Sequence, residues 1–284
     1  MGLINHRAPR RLLAIARGHP YERESFLRLF DTLDEFDVCL AEQPAASALM
    51  CPETAKNFDV LVCYDMPGID FGGPDPPELL APDPIQIKQY RAMLETGIGI
   101  VYLHHAIAAW PTWDSYAEIV GGRFHYRASV LHDRPWPDSG YRHKVSHTLH
   151  RVGNHPVTRG LPDRFTMTDE LYLFPVLEDR VVPLLRSDYD FLDSNFYSAA
   201  AAVAGKLNDR ENWSHPDGSS LVGWANAWGA SPLVYLQGGD DAEALENAFF
   251  KTLVGNAVRW VGSAEASRWA RDRTAAAGED RAEQ

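Results

Sequence analysis

Ile98-Gly99-Ile100-Val101-Tyr102-Leu103 runs straight into His104-His105-Ala106 and then a helical or turn-rich stretch through Trp110, Trp113 and Tyr116. A short apolar run of this kind is the pattern of a strand covered on both faces, as in a parallel sheet with helices on either side. Ligands of open α/β sheets bind outside the carboxyl ends of the strands, so the two histidines stand at the turn where polar groups carry function.

Outward from this strand the same pattern repeats. Arg11 to Ala16 (RLLAIA) predicts a strand, Arg17-Gly18-His19-Pro20 a loop, and Glu22 to Leu33 a helix, because Phe26, Leu27, Phe30 and Leu33 recur at helical spacing. Phe36 to Leu40 and Asp59 to Tyr64 predict two more buried parallel strands, the second ended by Asp65-Met66-Pro67-Gly68. Asp70 to Asp83 is a Gly/Pro-rich loop, and Ile85 to Thr96 a helix. Downstream, Gly121 to Arg142 is rich in Gly, Pro, Arg and aromatic residues, an excursion able to cover the site. Lys144 to Arg151, Glu170 to Phe174, Val181 to Arg186, Ser220 to Asn226 and Pro232 to Gln237 predict further strands, and Ala242 to Val261 one long amphipathic helix. The expectation is an α/β chain of the flavodoxin-like type, a three-layer sandwich with a mostly parallel central sheet. It has one domain over residues 11–262, a flexible N-terminus at 1–10, and a helical or disordered tail at 263–284.

Composition narrows the partners. Lys and Arg number 27 against 39 Asp and Glu, a formal net charge of -12, which opposes attraction to nucleic-acid backbones and anionic lipid. No nucleic acid and no membrane surface is expected, and assembly into a homo-oligomer is left open. Cys39, Cys51 and Cys63 are too few and too irregularly spaced for a disulfide framework, which fits a reducing cytoplasm. No apolar run reaches the ~18 residues of a spanning helix, and Met1 to Arg11 leads into no apolar export segment.

An ordered series of short motifs resembles the ThuA-like family, named for trehalose utilisation, within the class I glutamine amidotransferase-like superfamily. The series is Val101-Tyr102-Leu103-His104, Val120-Gly121-Gly122-Arg123-Phe124, His155-Pro156-Val157-Thr158-Arg159-Gly160-Leu161-Pro162, Asp169-Glu170-Leu171-Tyr172, and the closing Val254 to Trp260. The resemblance spans roughly Arg11 to Val261 and implies the amidotransferase-like fold. In amidotransferase relatives the strand-to-helix turn presents a nucleophilic cysteine, with a His-Glu pair later in the chain. Here neither Cys nor Ser occupies the turn, which argues against thiolate-dependent glutamine hydrolysis. Gly238-Gly239-Asp240 also departs from the family, many of whose members place a His after Gly.

Candidate residues follow from position and chemistry. Adjacent residues face opposite ways, so His104 alone of the pair is expected to turn into the site as acid, base or ligand, and His105 to adjoin it. Asp169 and Glu170 are the acidic partners, able to orient an imidazole or share its proton, with Tyr172 beside them; their bland alternative is a cap or surface ion pair. His19 follows the first strand and Asp65 the third, so a parallel sheet carries both to the edge that holds His104. That set suits a polyhydroxylated ligand or a divalent metal, although no H-x-x-x-H or C-x-x-C spacing is present and no cofactor is otherwise predicted. Trp110, Trp113, Tyr116, His125 and Tyr126 suit a stacking wall for a sugar ring, or simply core. His155 reads as a turn residue, and His132, His143, His147, His150 and His215 have no supporting context.

Two functions fit. One is an enzyme of carbohydrate catabolism, a hydrolase or lyase in which His104 with Asp169 or Glu170 acts on a sugar or oxidised disaccharide. The other is a non-catalytic small-ligand-binding or assembly protein that kept the fold without the cysteine.

Overall fold

The computed structural model describes residues 7–282. Nine strands form the path of a ten-stranded sheet: β1 (Arg10–Arg17), β2 (Phe36–Glu42), β3 (Val60–Asp65), β4 (Gly99–Leu103), β5 (Gly140–Arg151), β6 (Arg164–Leu173), β7 (Val182–Ser187), β8 (Leu221–Trp228) and β9 (Ser231–Leu236). The tenth, Tyr197–Ser198, pairs with β5. The order is β6-β5-β7-β8-β9-β4-β3-β1-β2. From β9 to β2 every pairing is parallel, and from β6 to β9 every pairing is antiparallel. The parallel part has the doubly wound order of flavodoxin-like sheets, with β9 as the fifth strand.

Alternation along the strands divides the core into two apolar layers. Leu12, Ala14 and Ala16, Val60, Val62 and Tyr64, and Val101 and Leu103 pack on one face with Phe26, Leu253, Val254, Ala257 and Val258. Leu13 and Ile15, Leu61 and Cys63, and Ile100 and Tyr102 pack on the other with Tyr90, Met93, Leu94, Ile119 and Val120. Helices Arg23–Arg28 and Ala248–Val261 therefore cover the first face and helices Pro84–Leu94 and Asp114–Val120 the second. Each fully buried Leu, Val or Ile contributes about 1.5–3 kcal/mol by leaving water, so both faces must stay covered, and the three-layer sandwich follows.

Boundaries differ from the sequence reading in several places, among them the starts of β5 and β6, which lie at Gly140 and Arg164 where Lys144 and Glu170 were expected. Arg10 is already in β1, its guanidinium donating to the Gly262 carbonyl at 2.6 Å; of the expected flexible segment 1–10, residues 1–6 lie outside the described residues. The first helix is short, Arg23–Arg28, and continues as turns. The closing helix is split into Ala242–Leu245 and Ala248–Val261 because Asn247 caps the second piece, accepting from the Phe249 and Phe250 amides. The tail takes the helical one of its two expected forms: Ala264–Ala282 is a helix that packs along β8 and β9, with Ala266 and Ala270 fully buried and Trp269 against Trp260.

The Gly121–Arg142 excursion begins where Gly121 ends helix Asp114–Val120 at φ 100°, a conformation that favours glycine. A Cβ there would stand 2.5 Å from Trp224 Nε1. The chain then forms a small hairpin, Ser129–Leu131 with Arg134–Trp136, before entering β5.

Candidate functional site

Leu103 ends β4 in extended geometry, and His104 follows at φ 43° in the left-handed region, opening a 3₁₀ turn over His104–Ala108. A non-glycine residue held there marks a backbone that its surroundings over-determine. The sharp turn drives both rings to one side. His104 and His105 have centroids 4.3 Å apart, and the Tyr172 hydroxyl lies 2.8 Å from His104 Nε2 and 3.0 Å from His105 Nδ1. The expectation that only one of the pair would turn inward is corrected: strand alternation ends at Leu103.

His104 is fully buried and anchored at both nitrogens. Nδ1 lies 2.5 Å from the Gln237 carbonyl, which can only accept, so Nδ1 carries a proton. Nε2 faces Glu170 Oε2 at 3.1 Å and Asp240 Oδ1 at 3.6 Å. The other oxygens of the same carboxylates face His143 Nδ1, at 3.2 Å for Glu170 Oε1 and 3.7 Å for Asp240 Oδ2. His143 is 53% exposed and Asp240 20%, so the cluster is closed at His104 and opens to solvent at this end.

Two features of the antiparallel wing build this arrangement. The first is a bulge: Asp169 pairs with Val145 and Leu171 with Arg142, so Glu170 is opposed by both His143 and Lys144, the latter at φ 54°. The extra residue bends the strand and re-aims its neighbours, as bulges beside sites do. The second is curl, which brings β6 back to the end of β9 despite the strands between them in the sheet, so that the Tyr172 amide donates to Gln237 Oε1 at 3.0 Å.

The loop after β9 is pinned by Asp169. Its carboxylate accepts from the Glu170, Gly239 and Asp240 amides at 2.8, 2.7 and 3.1 Å. The Tyr64 hydroxyl donates to the Gly239 carbonyl at 2.5 Å. Asp169 thus positions Asp240 and makes no direct bond to His104.

Electrostatics divide the imidazoles into two kinds. Burial opposes a charge on His104, but the carboxylates of Asp240 and Glu170 outweigh it and push its pKa up to about 10. Burial likewise acts against the Asp240 charge, and His104 and His143 overcome it, holding that carboxyl below the usual range. His143 is raised by its contact with Asp240. His105 is driven well below its ordinary value by burial and by the neighbouring His104, and His19 is lowered chiefly by burial. Burial raises Asp169 to about 7.

His19 joins the cluster by packing its ring against His105, tilted by 35° with centroids 4.0 Å apart, and its Nδ1 lies 2.9 Å from the Pro20 carbonyl. His105 stacks on Tyr64, and its Nε2 is buried with no hydrogen-bond partner among the described residues. His104, His105 and Asp240 present ligand atoms within 4.8 Å of one another, as do His143, Glu170 and Asp240.

Of the residues expected at the site, His19, His104, His105, Glu170 and Tyr172 come together, with Asp169 behind them. Asp65, Trp110 and Tyr116 instead line a separate crevice with Gln43, Cys63 and Trp113. There Gln43 donates to Asp65 at 2.6 Å, and burial raises that carboxyl to about 6. The Tyr116 hydroxyl is buried and bonded to the Ala106 carbonyl, and Tyr126 reaches Met66 Sδ. His125 is buried, its amide bonded to Ser139 and its ring depressed by burial to about 3. His143 and Asp240 were not among the expected residues. Asp240 had a usable signal, a carboxylate just past a strand end on the same edge as His104. His143 had none, because its place depends on the bulge.

A parallel doubly wound sheet with an imidazole at the elbow, flanked by buried carboxylates, defines an α/β protein of the flavodoxin-like class whose site is built without a thiol. The chain belongs to the ThuA family, described as trehalose utilisation, whose model matches residues 16–261. A ThuA-like protein from Parabacteroides merdae is similar in structure at TM-score 0.62 and 15% identity, covering 90% of each chain. A cytoplasmic protein of Salmonella typhimurium LT2 matches at TM-score 0.52 and 10% identity, over 88% of this chain and 99% of that one. A glutamine amidotransferase from Thermotoga maritima matches at TM-score 0.44 and 11% identity, over 89% and 98%. No curated protein matches the sequence. Among the described residues no helix is long and apolar enough to cross a membrane.

Proposed function

We propose that the protein acts in carbohydrate utilisation on a sugar or an oxidised sugar, using the histidine and carboxylate cluster at the elbow for proton transfer and no cysteine. The observation that carries this reading is His104, fixed at the left-handed elbow with Nε2 between Glu170 and Asp240. An imidazole and a carboxylate in contact supply both partners of proton transfer: one gives a proton to a departing or carbonyl oxygen, the other takes one from O–H or from C–H beside a carbonyl. The partnerless Nε2 of buried His105 offers a hydrogen bond to a ligand hydroxyl. Cys63, buried in the core of the parallel strands, has its thiol pushed up by burial, the opposite of what a nucleophile needs.

The test is to incubate purified protein with trehalose, sucrose and their 3-keto forms and to compare His104→Ala. Turnover that disappears in the variant supports the assignment. Turnover that survives it removes the elbow from the chemistry, and the absence of both turnover and binding with every sugar removes the carbohydrate reading.

A further inference from the structure

His104 Nε2 has one position for a proton and three oxygens around it: Tyr172 at 2.8 Å, Glu170 at 3.1 Å and Asp240 at 3.6 Å. His143 Nδ1 likewise faces an oxygen from each of the same two carboxylates. Two ring nitrogens thus meet four carboxylate oxygens, more acceptors than their protons can serve. We propose that this cluster is a binding site for a divalent transition-metal ion, held by His104, His143, Glu170 and Asp240.

Three observations carry it. Donors bound to one ion at about 2.0–2.2 Å stand about 2.9–3.6 Å from their neighbours, depending on the angle. His104 Nε2 stands 3.1 and 3.6 Å from one oxygen of Glu170 and one of Asp240, His143 Nδ1 stands 3.2 and 3.7 Å from the other oxygen of each, and the ligand atoms of His143, Glu170 and Asp240 lie within 4.8 Å of one another, so each carboxylate faces both imidazoles. Next, His104 donates Nδ1–H to a backbone carbonyl, the arrangement that fixes the tautomer of a metal-binding histidine and makes Nε2, which faces both carboxylates, the ligating nitrogen. Lastly, the donors are imidazole nitrogen and carboxylate oxygen with no thiolate, a set suited to zinc, manganese, iron(II) or cobalt(II). Asp169 supports the site by pinning the Gly239 and Asp240 amides.

The inference rests on the reading that sugar chemistry takes place at this cluster. An ion there would polarise a substrate carbonyl or hydroxyl oxygen, the task that the His104 proton performs without it. Its test needs no substrate. The untagged full chain is stripped with chelator and titrated with CoCl2, and then with ZnCl2 in competition. Saturable visible cobalt bands at a stoichiometric amount of metal, displaced by zinc, are expected. Asp240→Asn and His143→Ala, at positions exposed enough to fold normally, should each weaken binding by at least about tenfold, while His132→Ala should not. Absence of saturable bands, or bands indifferent to both site substitutions, overturns the site. Sugar turnover by the stripped protein, measured alongside, tells the two readings apart: turnover without metal binding overturns only the metal, and metal binding without turnover of any sugar overturns only the carbohydrate function.

Discussion

His104 Nε2 and Glu170 Oε2 lie 3.1 Å apart although 66 residues separate them in the chain. One side chain belongs to the parallel core and the other to the antiparallel wing, so the site exists only when both parts of the sheet are in place. Removing either partner takes one contact from a cluster that Tyr172, Asp240 and His143 also hold. Glu170→Gln keeps the volume and loses the charge. It should lower sugar turnover by about 10²–10⁴-fold with the fold intact, measured as kcat on the responsive substrate with circular dichroism as the control.

Asp169 should matter for position and stability. Its carboxylate satisfies three amides, at Glu170, Gly239 and Asp240. Asp169→Ala leaves those donors without acceptors at about 1–3 kcal/mol for a buried group. Urea unfolding should show a loss of at least that size, and Asp169→Asn, which retains one acceptor oxygen, should lose less.

Acid sensitivity should arise in part from His147. It is buried in β5 with Nδ1 at 2.8 Å from the Ser187 hydroxyl, and burial lowers its pKa from 6.5 to about 4. The unfolded chain therefore binds a proton on this group between pH 6.5 and about 4 that the folded chain does not. Stability is complete above 6.5 and falls as pH drops through the window, by up to about 3 kcal/mol. His147→Gln should flatten the dependence of unfolding free energy on pH across that range; an unchanged slope would show that other groups set it.

Asn247 breaks the closing helix by capping its second half, accepting from Phe249 and Phe250. Asn247→Ala should cost about 0.5–2 kcal/mol in thermal or urea unfolding, and Asn247→Asp, which keeps the acceptor, should cost little.

The closing helix also shows where reading from sequence reaches its limit. Apolar spacing across Ala242 to Val261 is compatible with one continuous helix, and a single side-chain oxygen turned back on two amides is enough to split it. Leu12 to Ala16 and Val60 to Tyr64 were legible because an unbroken apolar run is a local property, and a strand covered on both faces requires one. Trp113 and Tyr116, predicted as a wall for a sugar or as core, are packed with Tyr90 on the second face, since an aromatic residue at helical spacing looks the same in either role.

By itself the sequence determined the parallel core, its two apolar faces, and the elbow at His104. Each depends on the chemistry of neighbouring residues and on the rule that parallel strands share one functional edge. Only the tertiary structure decided that both histidines turn inward, that Glu170 faces His143 across a bulge, and that Asp240 completes the cluster. Those relations depend on one extra residue in a strand pairing and on the curl of a sheet, which bring distant segments within hydrogen-bond reach and leave no local periodicity in the chain.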